Sequence, residues 1–130
     1  MKTKFIILGC GSSLGVPRAD GNWGHCDPKE KKNYRTRCSA FIKSNVKNIL
    51  IDTSPDLRHQ LIKNKIYNID YVIYSHKHGD QVHGINDLRV FSLKNNKKIS
   101  VYADYQTGKY LKNNFSYCFK NTLSYKAILK

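Results

Sequence analysis

Tyr71-Val-Ile-Tyr74-Ser75-His76-Lys77-His78-Gly79-Asp80-Gln81-Val82-His83-Gly-Ile-Asn-Asp-Leu-Arg89 decides how this chain folds. An apolar run, Tyr71 to Tyr74, delivers His76, His78 and Asp80 in quick succession, with His83 just behind. Three of the five histidines fall in this short segment. Imidazole and carboxylate together suit a borderline-soft divalent metal such as zinc. Side chains alternate along a strand, so the two imidazoles of His-x-His leave a strand end on the same side. Asp80 then follows on the loop. The pattern reads as half of a metal-hydrolase active site, an expectation the rest of the chain has to meet.

Working outward, Lys4 to Leu8 is a short apolar run that ends at Gly9, the signature of a buried strand. The glycine-rich turn after it, Gly9 to Pro17, is no phosphate-binding loop, because no Gly-Lys-Ser/Thr closes it. Residues 18 to 37 form a long polar loop with Trp23 as its only large anchor. Cys38 to Lys43 and Ile49 to Thr53 read as a hairpin across a turn-favouring stretch. Thr53 or Ser54 can cap a helix that starts near Pro55 and runs to about Lys65, with Leu57, Leu61 and Ile62 inward.

Ile69 to Tyr74 is the strand that carries the histidines. Ile85 to Leu93 is expected as a helix and Ile99 to Ala103 as a strand. A last helix is expected over Gly108 to Phe119, with Tyr110, Leu111 and Phe115 inward. This order predicts an α/β layered single domain over residues 1–130.

Composition limits the function classes. With 40% hydrophobic residues and 12% aromatics the chain is globular rather than disordered. No apolar run approaches the roughly 18 residues of a membrane span, and no secretory signal is legible, so a cytoplasmic protein is expected. The net charge of +14 makes polyanions, nucleic acid included, a fair partner class. The excess is mostly lysine spread along the chain beside abundant Asn and Ile, as an AT-rich genome produces without selection for binding. Nucleic acid is therefore not the favoured partner. Cys10, Cys26, Cys38 and Cys118 form no Cys-x-x-Cys pair and are expected reduced.

His76-Lys-His78-Gly-Asp80-Gln81-Val-His83-Gly-Ile-Asn-Asp-Leu-Arg89 resembles the His-x-His-x-Asp-His signature of the metallo-β-lactamase superfamily. The similarity extends to Leu8-Gly-Cys-Gly-Ser-Ser-Leu-Gly-Val-Pro-Arg18, Asn22-Trp-Gly-His-Cys-Asp-Pro28, Arg37-Cys-Ser39 and Leu50-Ile-Asp-Thr-Ser-Pro-Asp-Leu-Arg58. These segments look closest to the branch containing the phosphonate-pathway cyclic phosphodiesterase. The resemblance implies the N-terminal half of a four-layer αββα sandwich. It implies one or two divalent ions, zinc or manganese, and a small phosphodiester substrate attacked by metal-activated water.

Carried over, His76 and His78 are first-metal ligands, and Asp80 is a second-metal ligand and the catalytic carboxylate. Asp52 braces the ligand loop. Gln81 stands where the superfamily has histidine, so it is at most a weak neutral ligand. His83, Arg18 and Arg89 are candidates for contacting an anionic substrate. Relatives are longer, and their later half supplies further ligands that this chain lacks. A 130-residue chain is therefore expected to be incompetent alone, to self-associate, or to need a complementing C-terminal chain. An RNA-processing endonuclease of the tRNA 3′-end type and a non-catalytic interaction module are the alternatives.

Overall fold

The computed structural model describes residues 2–130. Five strands form one sheet in sequential order: β1 (Lys4–Gly9), β2 (Ser39–Lys43), β3 (Asn48–Ile51), β4 (Tyr71–Ile73) and β5 (Ser100–Tyr102). The first three form an antiparallel meander, and β3, β4 and β5 pair in parallel. Parallel pairing needs crossovers. Helix α1 (Leu57–Lys63) supplies the first; α2 (Gly79–Val82), a 3₁₀ turn (Ile85–Leu88) and α3 (Arg89–Lys94) supply the second. Helices α4 (Tyr105–Asn114) and α5 (Ser116–Phe119) follow, and the C-terminal segment returns alongside β5, where Leu129 makes a parallel bridge to Ile99. This is an α/β layered fold.

Strand periodicity sorts the side chains. One sheet face presents Leu8, Phe41, Leu50 and Val72 to Leu57, Leu61, Ile85, Leu88, Leu111 and Ile128, and this is the core. The opposite face carries Phe5, Ile7, Ile42, Ile49, Ile51, Tyr71, Ile73 and Tyr102 in register across all five strands. No helix covers it among the described residues: Phe5 is 62% exposed, Ile7 66%, Ile73 39% and Tyr102 56%. An apolar side chain of this size gains about 1.5–3 kcal/mol when fully buried, a stabilisation these exposed side chains leave unrealised.

Several sequence expectations shift here. Helix α1 is shorter than expected because Ser54 makes a turn ahead of it, its Oγ accepting from the Asp56 N–H at 2.9 Å. Ile62 is exposed rather than inward. Gln60 takes the inward position, donating from Nε2 to the Arg37 carbonyl at 2.8 Å and the Thr36 hydroxyl at 3.0 Å. Ile85 to Leu93 splits into a 3₁₀ turn and α3. The last helix begins at Tyr105, earlier than Gly108, and breaks at Phe115, whose ring packs edge-on to Tyr110 and His83.

Asp104 explains the early start. Its Oδ1 accepts from the N–H groups of Gln106 and Thr107 at 2.9 and 3.1 Å, while Oδ2 accepts from the Thr107 hydroxyl at 2.6 Å. The Thr107 hydroxyl, then these backbone donors, hold the Asp104 carboxyl below its ordinary value. A carboxyl with a depressed folded-state pKa supplies stability above its unfolded value, about 4, that is lost as pH falls through the folded value. Asp104→Asn should remove that part of the acid-side slope, read as thermal midpoints by circular dichroism below about pH 5.

Candidate metal centre

The site is built where two parallel strands end side by side. Asp52 leaves β3 with a positive φ of 59°, a left-handed conformation that aspartate tolerates better than most residues. That twist carries its carboxylate to the end of β4, where Asp52 Oδ1 accepts from the Ser75 N–H at 2.7 Å and Oδ2 from the Ser75 hydroxyl at 2.6 Å. The Ser75 oxygen lies 3.0 Å from His76 Nδ1. Since the hydroxyl proton is given to Asp52, Ser75 Oγ is left to accept, which assigns the His76 proton to Nδ1. Nε2 then carries the lone pair.

That nitrogen faces a second one: His76 Nε2 and His78 Nδ1 are 3.1 Å apart. Two imidazole nitrogens at about 2.0–2.1 Å from one tetrahedral ion would stand roughly 3.3 Å apart, and at a right angle roughly 2.9 Å. The observed separation lies between the two. Both imidazoles are exposed and so accessible from solvent.

Asp80, half-buried at the start of α2, has its Oδ2 accepting from Gln81 Nε2 at 2.9 Å. Gln81 is itself buried, and its Oε1 has no hydrogen-bond partner. A buried acceptor without a donor is a place for a cation or a donor group, which suits a weak neutral ligand. Among the described residues, no three or more His, Cys, Asp or Glu side chains converge on one point. The two histidines fit a metal; a closed ligand set is not assembled.

A buried polar hub fixes this loop to the Asp52 turn. Thr53 is fully buried; its N–H donates to the Gln81 carbonyl at 2.7 Å, and its hydroxyl lies 2.9 Å from the Tyr74 hydroxyl. The Gly84 N–H donates back to the Thr53 carbonyl at 2.9 Å. Burial pushes the Tyr74 phenol well above its ordinary range, so it stays neutral. Burial also raises the Asp52 carboxyl, overcoming the Ser75 hydrogen bonds and His76, which favour the charged form; Asp80 adds to the rise.

The other sequence candidates are not gathered with these. His83 is exposed at the end of α2, with its ring close over Gly79 and edge-on to Phe115 at 6.1 Å. Arg89 stands on α3 with its guanidinium 4.5 Å from the Tyr125 ring centroid, lining a groove with Arg58, Ile66 and Tyr67. Arg18 is exposed in a turn closed by its own carbonyl accepting from Gly21. Ser75 was not legible as a functional residue, although a hydroxyl directly before the first histidine is the available signal.

A helix-backed sheet that ends two parallel strands in an Asp-braced His-x-His pair defines the metallo-β-lactamase fold. The family model described as the beta-lactamase superfamily domain matches residues 47–128, and the chain belongs to that family. A solved diphosphatase of the PhnP family superposes with a TM-score of 0.81 at 32% identity, covering 92% of this chain and 48% of that one. Zn²⁺-bound PqqB from Methylobacterium extorquens (TM-score 0.65, 20% identity, 87% of this chain and 40% of that one) shares the fold. So does the human short-form tRNase Z (TM-score 0.65, 16% identity, 98% and 44%). A curated octanoyltransferase from Porphyromonas gingivalis is 34% identical over 116 residues, 88% of this chain and 23% of that protein. The chain thus spans about half of the similar solved structure and under a quarter of the curated relative.

Proposed function

We propose that this chain carries the first-metal half of a metal-dependent phosphodiesterase site. The observation that carries it is the 3.1 Å approach of His76 Nε2 and His78 Nδ1, with the His76 tautomer set through Ser75 by Asp52. His76 and His78 would hold a zinc or manganese ion, with Asp80 and the unpartnered Gln81 Oε1 flanking a second position. When bound, such an ion polarises a phosphoryl oxygen and lowers the pKa of water toward about 7. Asp80 orients the attacking water or the substrate. The likeness to a PhnP-family diphosphatase at 32% identity supports a phosphorus ester or anhydride as substrate.

Two imidazoles are too few donors for tight binding. The remaining ligands would come with the layer that covers the apolar sheet face, supplied by further polypeptide, by a complementing chain or by self-association. Zn²⁺ competition with a chromogenic chelator should show weak binding to the 130-residue chain, lost in His78→Ala. Absence of any His78-dependent binding would falsify the metal assignment. Bis-p-nitrophenyl phosphate should turn over little or not at all; robust turnover by the isolated chain would refute the need for further donors. The net charge of +14 keeps an RNA substrate as the second reading, and cleavage of precursor tRNA at its 3′ end in the same assay would select it.

A further inference from the structure

Cys10 and Cys38 lie outside the donor set described above and beside it. Strand β1 leaves the sheet at Gly9, whose partner is Ser39 at the start of β2. Two residues on, past an irregularity in the β1–β2 register, Gly11 makes an isolated parallel bridge to Arg37, and its N–H donates to the Thr36 carbonyl at 2.7 Å. Cys10 is therefore bracketed by residues paired to the two neighbours of Cys38. The Gly9–Ser39 and Gly11–Arg37 pairings hold the two backbones side by side on either side of Cys10 and Cys38, the arrangement a disulfide needs to span Cα atoms roughly 4.4–6.8 Å apart. The Cys38 thiol already reaches toward that turn, its Sγ donating to the Gly11 carbonyl oxygen at 3.3 Å. Both cysteines are exposed, whereas Cys118 is buried and Cys26 sits half-buried in the polar loop.

We propose that Cys10 and Cys38 are an oxidisable dithiol that closes to a cross-strand disulfide when it meets a small disulfide such as oxidised glutathione. The clasp joins the exit of β1 to the entry of β2 at the rim of the candidate metal centre.

Neighbouring charges bear on the order of events. Although the residue is exposed overall, partial desolvation of its thiol pushes Cys38 up, and so do Asp80, Cys10 and Asp52, so Cys38 lies in the field of both site carboxylates. A thiol held protonated is the slower first nucleophile. The Cys10 thiolate attacks the oxidant, forms a mixed disulfide and expels one glutathione thiolate. Cys38 then attacks the Cys10 sulfur and expels the second glutathione thiolate. Two cysteine thiols become one disulfide, the oxidant's disulfide becomes two glutathione thiols, and both cysteine protons end on them.

The full chain, freed of metal with a chelator, is incubated with oxidised glutathione, quenched in acid, alkylated and mapped by peptide mass. The expected product is a peptide pair joined through Cys10 and Cys38, lighter by two hydrogens, with Cys26 and Cys118 alkylated. In Cys38→Ser a glutathione adduct should persist on Cys10, because no second thiol resolves it. Wild-type protein that keeps glutathione on Cys10 or Cys38 without the cross-link, or that joins Cys10 to Cys26, overturns the proposal. The decisive readout is on wild-type chain without metal, so its failure would leave the metal assignment untouched.

Discussion

Asp52→Asn should lower metal affinity by about 10- to 100-fold, the range for residues that orient a metal ligand, while stabilising the metal-free protein. The two effects have one origin. Asp52 is 7% exposed, and its carboxyl is raised above its ordinary value chiefly by burial. A carboxyl with a raised folded-state pKa gives stability that is fully present below its unfolded value, about 4, and lost as pH rises through the folded value. At neutral pH the buried charge is thus a cost, and asparagine removes it. Asparagine also keeps the left-handed φ of 59° that this position requires.

The affinity loss follows from donor accounting. The Ser75 N–H needs an acceptor, so the asparagine Oδ1 must face it and Nδ2 must face the Ser75 hydroxyl. Ser75 Oγ then accepts from Nδ2 and turns its own proton toward His76 Nδ1. That favours the tautomer with the proton on Nε2, the nitrogen that faces His78 and should bind metal. Urea melts of the metal-free protein from about pH 4 to 8 should show the wild-type loss flattened in the variant. Zn²⁺ competition at neutral pH reads the affinity. Equal affinity in wild type and Asp52→Asn would mean that the relay does not set the tautomer.

The strands and the histidine loop were legible because their physics is local. An apolar run cut off by a polar loop reads as a strand end, and His-x-His at period two places both rings together without knowledge of any partner. The hairpin from β2 to β3 is local in the same way. What escaped depends on contacts distant in sequence. Ile62 belongs to the apolar stripe by spacing, yet Gln60 goes inward because the Arg37 carbonyl, far back in the chain, needs its donor. Arg89 is near the motif in sequence but on the far side of a 3₁₀ turn, where Tyr125 holds it. Ser75 acquires a role only once Asp52 arrives beside it on a parallel strand. Asp104, by contrast, was a local cap signal that spacing alone could have found.

Gly84→Ala and Gly108→Ala should move stability in opposite directions, although the substitution is the same. A Cβ on Gly84 would overlap the Ser54 carbonyl oxygen and stand 2.9 Å from the Ser54 carbonyl carbon and 3.0 Å from Leu57 Cβ. The obstacle is backbone, which cannot rotate away. The Gly84 N–H is also bonded to the Thr53 carbonyl, so relief by displacement breaks the hub that ties the Asp52 turn to the Asp80 helix. Overpacking of this kind costs about 1–3 kcal/mol, and the upper end applies where a buried bond is lost as well; that is a large part of a typical 5–15 kcal/mol. At Gly108, inside α4, a Cβ meets nothing within 4 Å. Alanine there restricts the unfolded chain and should stabilise by about 0.5–1 kcal/mol. Chemical denaturation of both variants gives the comparison, and Zn²⁺ competition adds a second axis. Gly84→Ala should weaken metal binding, because Thr53 and Asp52 are adjacent and move together, whereas Gly108→Ala should leave binding unchanged. If Gly84→Ala proved as stable as wild type, the close approach of the Ser54 turn to the helix that follows the histidines would be wrong, and with it the docking of that helix on the Asp52–Thr53 turn.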